Sequence, residues 1–220
     1  MPINEKFIEN FEEEKFLHVI CKASGDSVLF KSDENKSYFL KKFSQYSEGY
    51  FDTYAYCLLS NHVHWLIKCK KEQELIDHLS VLDERKLKSH QQNFLEGIVS
   101  FEQEVEFLWK DFFISYAMAY NKMYQRKGAL FINPFRRIKV ENEEHLTQLV
   151  VYIHANAVKH GIVTNLELYK DSSYQSILSD KPTQLKRKEV LDWFGGRERF
   201  VSIHRANAKF YYNNDYAMEL

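Results

Sequence analysis

The chain has 220 residues, 45% of them hydrophobic and 28% charged, with a formal net charge of −1; that composition suits one well-buried core and excludes a globally basic polyanion binder, so nucleic acid would have to be met by local patches. The three cysteines, Cys21, Cys57 and Cys69, exclude a disulfide framework and a cysteine-based zinc site. No apolar run approaches the roughly 20 residues of a membrane span, and the polar, acidic start lacks the character of a signal peptide, so a cytoplasmic protein is expected.

In chain order, residues 16–21 read as a strand, followed by a loop centred on Gly25 and a short apolar segment at 28–30. Residues 33–47 carry Phe39, Leu40 and Phe43 at helical spacing with Lys36, Lys41 and Lys42 outside, which predicts a helix. Residues 53–68 then alternate aromatic and branched side chains on both sides of Ser60-Asn61, the pattern of two strands joined by a tight turn. Side chains along a strand alternate between faces, so His62, His64 and Leu66 project one way and Val63, Trp65 and Ile67 the other. The two imidazoles stand about 7 Å apart at their Cα atoms, a spacing that suits one metal ion. On pattern alone, two partly exposed sheet histidines are the commoner outcome. Strand, helix and hairpin in this order match the first half of a ferredoxin-like, RRM-like antiparallel sheet flanked by helices, an α+β fold.

Residues 71–106 are acidic, with apolar positions at mixed spacing, and read as a helical insertion whose acids are mostly solvated. One long helix is predicted over 104–126, ended by Lys127-Gly128. Tyr116, Tyr120 and Tyr124 form a stripe on it, suited to packing, though each is also a candidate nucleophile. Arg136, Arg137 and Lys139 lie in a predicted strand with an exposed basic face, where they are natural phosphate contacts; a solvated edge strand is the simpler alternative.

Residues 143–160 predict a second long helix, capped by Asn142 and closed by Gly161 in the left-handed conformation. Leu146, Leu149, Val150, Ile153 and Ala157 form its buried stripe. At 100° per residue, Gln148, Tyr152, Asn156 and Lys159 line the flank beside that stripe, with Tyr152 and Asn156 one turn apart. Past Lys181-Pro182 the chain turns to short helical runs, either an accessory DNA-binding tail or a helical lid, since Trp193, Phe194 and Phe200 need burial.

Two strings carry a resemblance. Tyr56-Cys57-Leu58-Leu59-Ser60-Asn61-His62-Val63-His64-Trp65-Leu66-Ile67 resembles the signature of HUH-type single-tyrosine transposases, with Ser60 where the family usually has proline. Tyr152-Ile153-His154-Ala155-Asn156-Ala157-Val158-Lys159-His160-Gly161 resembles the tyrosine helix of the group associated with repetitive extragenic palindromes (REP), with Ala157 where proline is usual. The similarity spans residues 14–178, interrupted by the 71–106 insertion, and leaves 179–220 as a C-terminal helical extension. It implies that Tyr152 is the nucleophile and that His62, His64 and Asn156 hold Mg²⁺ or Mn²⁺, with Gln148 and Asn61 supporting. Arg136, Arg137, Lys139 and Lys159 would meet DNA. The implied reaction is cleavage and rejoining of single-stranded, hairpin-forming DNA through a 5′-phosphotyrosine, carried out by a homodimer. A non-catalytic single-stranded nucleic-acid binder on the same fold and a metal-dependent phosphodiesterase using water are the competing readings.

Overall fold

Phe16–Lys22 forms β1, and its alternation fixes the layering of the molecule. In this computed structural model, which describes residues 7–140 and 142–213, β1 lies between β3 (His62–Cys69) and β4 (Arg136–Lys139). With β2 (Phe51–Leu58) outside β3, the sheet is antiparallel and four-stranded, in the order β2-β3-β1-β4. The register pairs Val19 with Trp65 and Cys21 with Val63 on one face, and Ile20 with His64 and His18 with Leu66 on the other. This is the expected ferredoxin-like arrangement.

The first face is covered by α1 (Asp33–Ser47) and α4 (Phe101–Met123). Phe39 and Phe43 of α1 stack on Trp65 at 5.5 and 4.7 Å between ring centroids, and Trp109 and Phe112 of α4 close the same aromatic core. Tyr116 and Tyr120 donate their hydroxyls to the carbonyls of Leu29 and Val28, each at 2.7 Å, and Tyr124 bonds to Asn35. The 28–30 segment is therefore an irregular loop pinned by tyrosines. Tyr116 and Tyr120 belong to α4 and Tyr124 caps its end, all on the sheet face away from the histidine pair, where they act as packing residues.

Helix α4 begins three residues before its predicted start, because Ser100 and Gln103 form a reciprocal capping box. The insertion before it holds α2 (Glu72–Ser80), a 3₁₀ turn at Glu84–Lys86 and α3 (Ser89–Leu95). Its acids are not all solvated. Glu104 is fully buried, accepting from the Tyr50 hydroxyl at 2.6 Å and from His90 Nδ1 at 2.7 Å.

The second sheet face is covered by α5 (Glu143–Lys159), which starts on the Asn142 side chain and ends before Gly161 at φ +66°. A register shift at Tyr54 turns both Tyr54 and Ala55 toward this helix. After a short α6 (Tyr174–Leu178), α7 (Arg187–Trp193) sets Trp193 against Tyr54 and Phe16 of the sheet, and α8 (Arg197–Asn213) packs on α5, with Val190, Phe194 and Phe200 buried in the same core. The C-terminal extension is thus a cover over α5 as far as residue 213, and its last residues, 214–220, lie outside the described residues. Among the described residues no helix is long and apolar enough to cross a membrane.

A buried polar chain ties these layers together. His204 Nδ1 donates to the Phe200 carbonyl at 2.7 Å, so the neutral ring accepts at Nε2 from His154 Nδ1, 2.9 Å away. His154 Nε2 then accepts from the Ser173 hydroxyl at 2.7 Å, and Ser173 Oγ accepts from the Tyr56 amide at 2.9 Å. Burial, reinforced by the neighbouring His204, pushes the His154 pKa well down, and burial lowers His204 to about 4.

Two predictions follow from this packing. Phe39→Ala, which empties the centre of the aromatic core, lowers the unfolding free energy by about 3–5 kcal/mol in urea titrations. Because His154 and His204 fold neutral and unfold into groups with ordinary pKa near 6.5, the unfolded state binds more protons below that pH. Stability therefore falls from pH 6.5 to pH 5 by up to about 2 kcal/mol for each histidine. His90 titrates in the opposite sense: burial opposes its charge, but Glu104 and Asp111 raise its pKa. Its contribution is complete below about pH 6.5 and lost only as pH rises through the raised value, so it does not mask the acid loss. Urea midpoints at pH 7 and pH 5, with the His204 ring titration followed by NMR, check both points.

Candidate functional site

Because β3 alternates, burying Trp65 on the aromatic side obliges His62 and His64 to face α5. His64 is fully buried and His62 partly so, with ring centroids 5.0 Å apart. Each imidazole has its Nδ1 engaged. His62 Nδ1 lies 2.7 Å from Asn61 Oδ1, in the turn that opens the strand. His64 Nδ1 lies 2.9 Å from Nε2 of His18, a buried residue of β1. The first partner is adjacent in sequence; the second arrives only through strand pairing.

Helix α5 lays Tyr152 against this strand. The Tyr152 ring stands edge-on to His64 at 5.8 Å and to His18 at 5.9 Å between centroids. Tyr152 is 1% exposed, held between the sheet histidines and its own helix. One turn later, Asn156 Nδ2 donates to the Tyr152 carbonyl at 2.9 Å. Its Oδ1 is buried with no hydrogen-bond partner among the described residues. A buried carboxamide oxygen left without a donor carries an energetic penalty that a cation would remove. Lys159 Nζ lies 5.6 Å from the centre of the Tyr152 ring, and the exposed His160 ring 4.9 Å from that of His62.

Two imidazoles and one amide oxygen are a donor set compatible with Mn²⁺ or Mg²⁺. Among the described residues, no group of three or more His, Cys, Asp or Glu side chains is placed to hold a metal ion. A site here therefore depends on Asn156 as the third ligand. The residues present fit such an ion on two grounds, the unpartnered Oδ1 and the engagement of both Nδ1 atoms, which leaves Nε2 as the coordinating atom of each ring.

The remaining candidate residues separate. Gln148, one turn before Tyr152, bonds to Glu144 at 3.2 Å and lines a groove of about 700 Å³ between α5, α7 and α8, beside Trp193 and Arg199. On β4 the alternation divides the basic residues. Arg136 pairs with Ile20 and shares the face of the histidines, whereas Arg137 pairs with Val19 and lies with Lys139 on the opposite face. Arg137 is buried, stacks over Phe11 and Phe135 at 4.6 and 5.2 Å, and pairs with Glu106. Lys139 reaches Glu12 at 3.6 Å. The expected uniform basic surface is thus corrected: Arg137 is a core-facing cation, and of the three only Arg136 is on the face that carries the candidate site.

His18 is the residue that sequence reasoning missed. Its signal was present in the alternation of β1, where one histidine stands among apolar neighbours on the face shared with His64. The register with β3 was needed to give that position meaning.

No family model matches the chain, and no curated protein matches it either. Among solved structures, it is similar to one described as "Structure of the REP associates tyrosine transposase bound to a REP hairpin", with a TM-score of 0.54 and 13% sequence identity, over 80% of this chain and 87% of that one. At this identity the likeness is one of fold.

Proposed function

We propose that this chain is a tyrosine transposase-like strand transferase that cleaves and rejoins single-stranded, hairpin-forming DNA. The reading rests on the Tyr152 ring standing edge-on to His64 beside His62, and on the buried, unpartnered Oδ1 of Asn156 one turn along the same helix. The fold shared with a tyrosine transposase bound to a DNA hairpin supports the same assignment. Residues 62 to 64 and 152 to 156 come from one chain, so a complete site does not require exchange between the subunits of a homodimer.

In this reading the Tyr152 hydroxyl attacks the scissile phosphorus, the bond to the 3′ oxygen breaks, and the departing oxygen takes up a proton. The products are a 5′-phosphotyrosine and a free 3′ hydroxyl, which retain the bond energy for rejoining. His62, His64 and Asn156 would hold Mg²⁺ or Mn²⁺, which when bound supplies polarisation of the phosphodiester and stabilisation of developing charge. Phenol is a weak nucleophile at its ordinary pKa of about 10. Lys159, whose Nζ lies 5.6 Å from the centre of the Tyr152 ring, would supply a phosphate contact. The Asn156 bond to the Tyr152 carbonyl keeps nucleophile and ligand in register along the helix. Arg136 supplies a phosphate contact from the same sheet face.

The burial of Tyr152 favours a second reading, a non-catalytic single-stranded DNA binder on the same fold. Incubation with hairpin-tipped single-stranded DNA and Mn²⁺ or Mg²⁺ separates the two. Strand transfer gives a protein–DNA adduct that survives denaturation and is abolished in Tyr152→Phe and His62→Ala; binding without adduct supports the second reading, and cleavage without adduct indicates hydrolysis by water. For binding itself, Arg136→Ala lowers the slope of log affinity against log salt by about 0.7, the loss of one single-strand phosphate contact, whereas Lys139→Ala leaves it unchanged. Fluorescence-anisotropy titrations across a salt series measure this.

A further inference from the structure

The imidazole–imidazole contact between β1 and β3 has no role in the account so far. His18 Nε2 and His64 Nδ1 are 2.9 Å apart, and the two residues are 1% and 0% exposed. The rings lie nearly parallel, 22° between planes. A contact of this kind holds one proton between two nitrogens, so one ring donates and the other accepts. Its direction decides which nitrogen of His64 is left as a lone pair.

We infer that His18 is a positioning residue whose Nε2 accepts the Nδ1 proton of His64, fixing the His64 tautomer that presents Nε2 as a ligand. This rests on the reading of His62, His64 and Asn156 as a cation site and assigns how that site is prepared before the cation arrives. A ligating imidazole is oriented by the hydrogen bond of its other nitrogen, and that bond also sets its tautomer. His62 already shows the pattern, since its Nδ1 faces a carboxamide oxygen, Asn61 Oδ1, which can only accept. His64 is fully buried, so solvent cannot take the acceptor's place. The acceptor is delivered instead from β1, by the register that sets Ile20 against His64 and brings His18 beside it on the same face. The two ligands are thus locked in one tautomer by two different acceptors, local for the outer ring and cross-strand for the inner one.

His18→Gln and His18→Leu separate this role from packing. Gln places its amide oxygen near the position of Nε2 and can accept; Leu fills space and cannot. In long-range ¹H–¹⁵N NMR spectra of the metal-free wild-type protein, the His64 proton is expected on Nδ1. In His18→Leu it shifts toward Nε2, and Mn²⁺ affinity by calorimetry falls on the order of 10–100-fold. In His18→Gln the Nδ1 proton is retained and affinity stays within a few-fold of wild type, with near-UV circular dichroism reporting that each variant folds. A wild-type His64 protonated on Nε2 overturns the assignment without any variant, as does equal Mn²⁺ affinity in the Leu and Gln variants. Failure of the wild-type protein to bind Mn²⁺ or Mg²⁺, or binding unaltered by Asn156→Ala, overturns the cation site itself. The metal-free ring spectra tell that failure apart from a wrong proton assignment.

Discussion

Everything in this molecule depends on the two-residue period of β3. Val63, Trp65 and Ile67 are committed to an aromatic core beneath α1 and α4, and that commitment leaves the alternate positions no freedom. His62 and His64 must face the other way, toward α5. A slip of one residue would place Trp65 against Tyr152 and both imidazoles in the aromatic core, exchanging an apolar contact for two buried polar rings. The packing of one face therefore fixes which side chains the other presents.

The cost of that arrangement is carried by polar groups inside the second face. Burying an imidazole or a carboxamide is unfavourable unless its nitrogens and oxygens are satisfied. His18 meets His64, Asn61 meets His62, and Asn156 Nδ2 bonds its own helix, while Asn156 Oδ1 is left without a donor among the described residues. The His154–His204–Ser173 chain solves the same problem on the far side of α5 with every bond direction determined. The contrast is between a fully paired polar chain on one side of the helix and a left-over amide oxygen at Asn156.

Local signals made much of this readable from the residues. The Ser60-Asn61 turn, the strand alternation, the Asn142 cap and Gly161 each act within a few residues, and the hairpin and α5 follow from them. What depended on pairing or packing between distant segments was not readable. His18 gains its partner from register with β3. Arg137 was expected on an exposed basic strand, but pairing with Val19 turns it into the core. What the flank of α5 packs beside was likewise not readable: α8 lies against the helix, and Tyr152 is enclosed against the sheet histidines. Glu104 belonged to a segment whose acids were expected in solvent, yet Tyr50 and His90 hold it inside.

The central proposal is convergence, in which one strand and one helix would bring two imidazoles, a carboxamide oxygen and a phenol to a single cation site. An anomalous-difference map from crystals of the protein soaked in Mn²⁺ tests it most directly. The account predicts one strong peak bonded to Nε2 of His62, Nε2 of His64 and Oδ1 of Asn156, beside the Tyr152 ring. A map with no peak there, or with a manganese ion bound to the histidines while Asn156 Oδ1 stays outside its coordination shell, would contradict it.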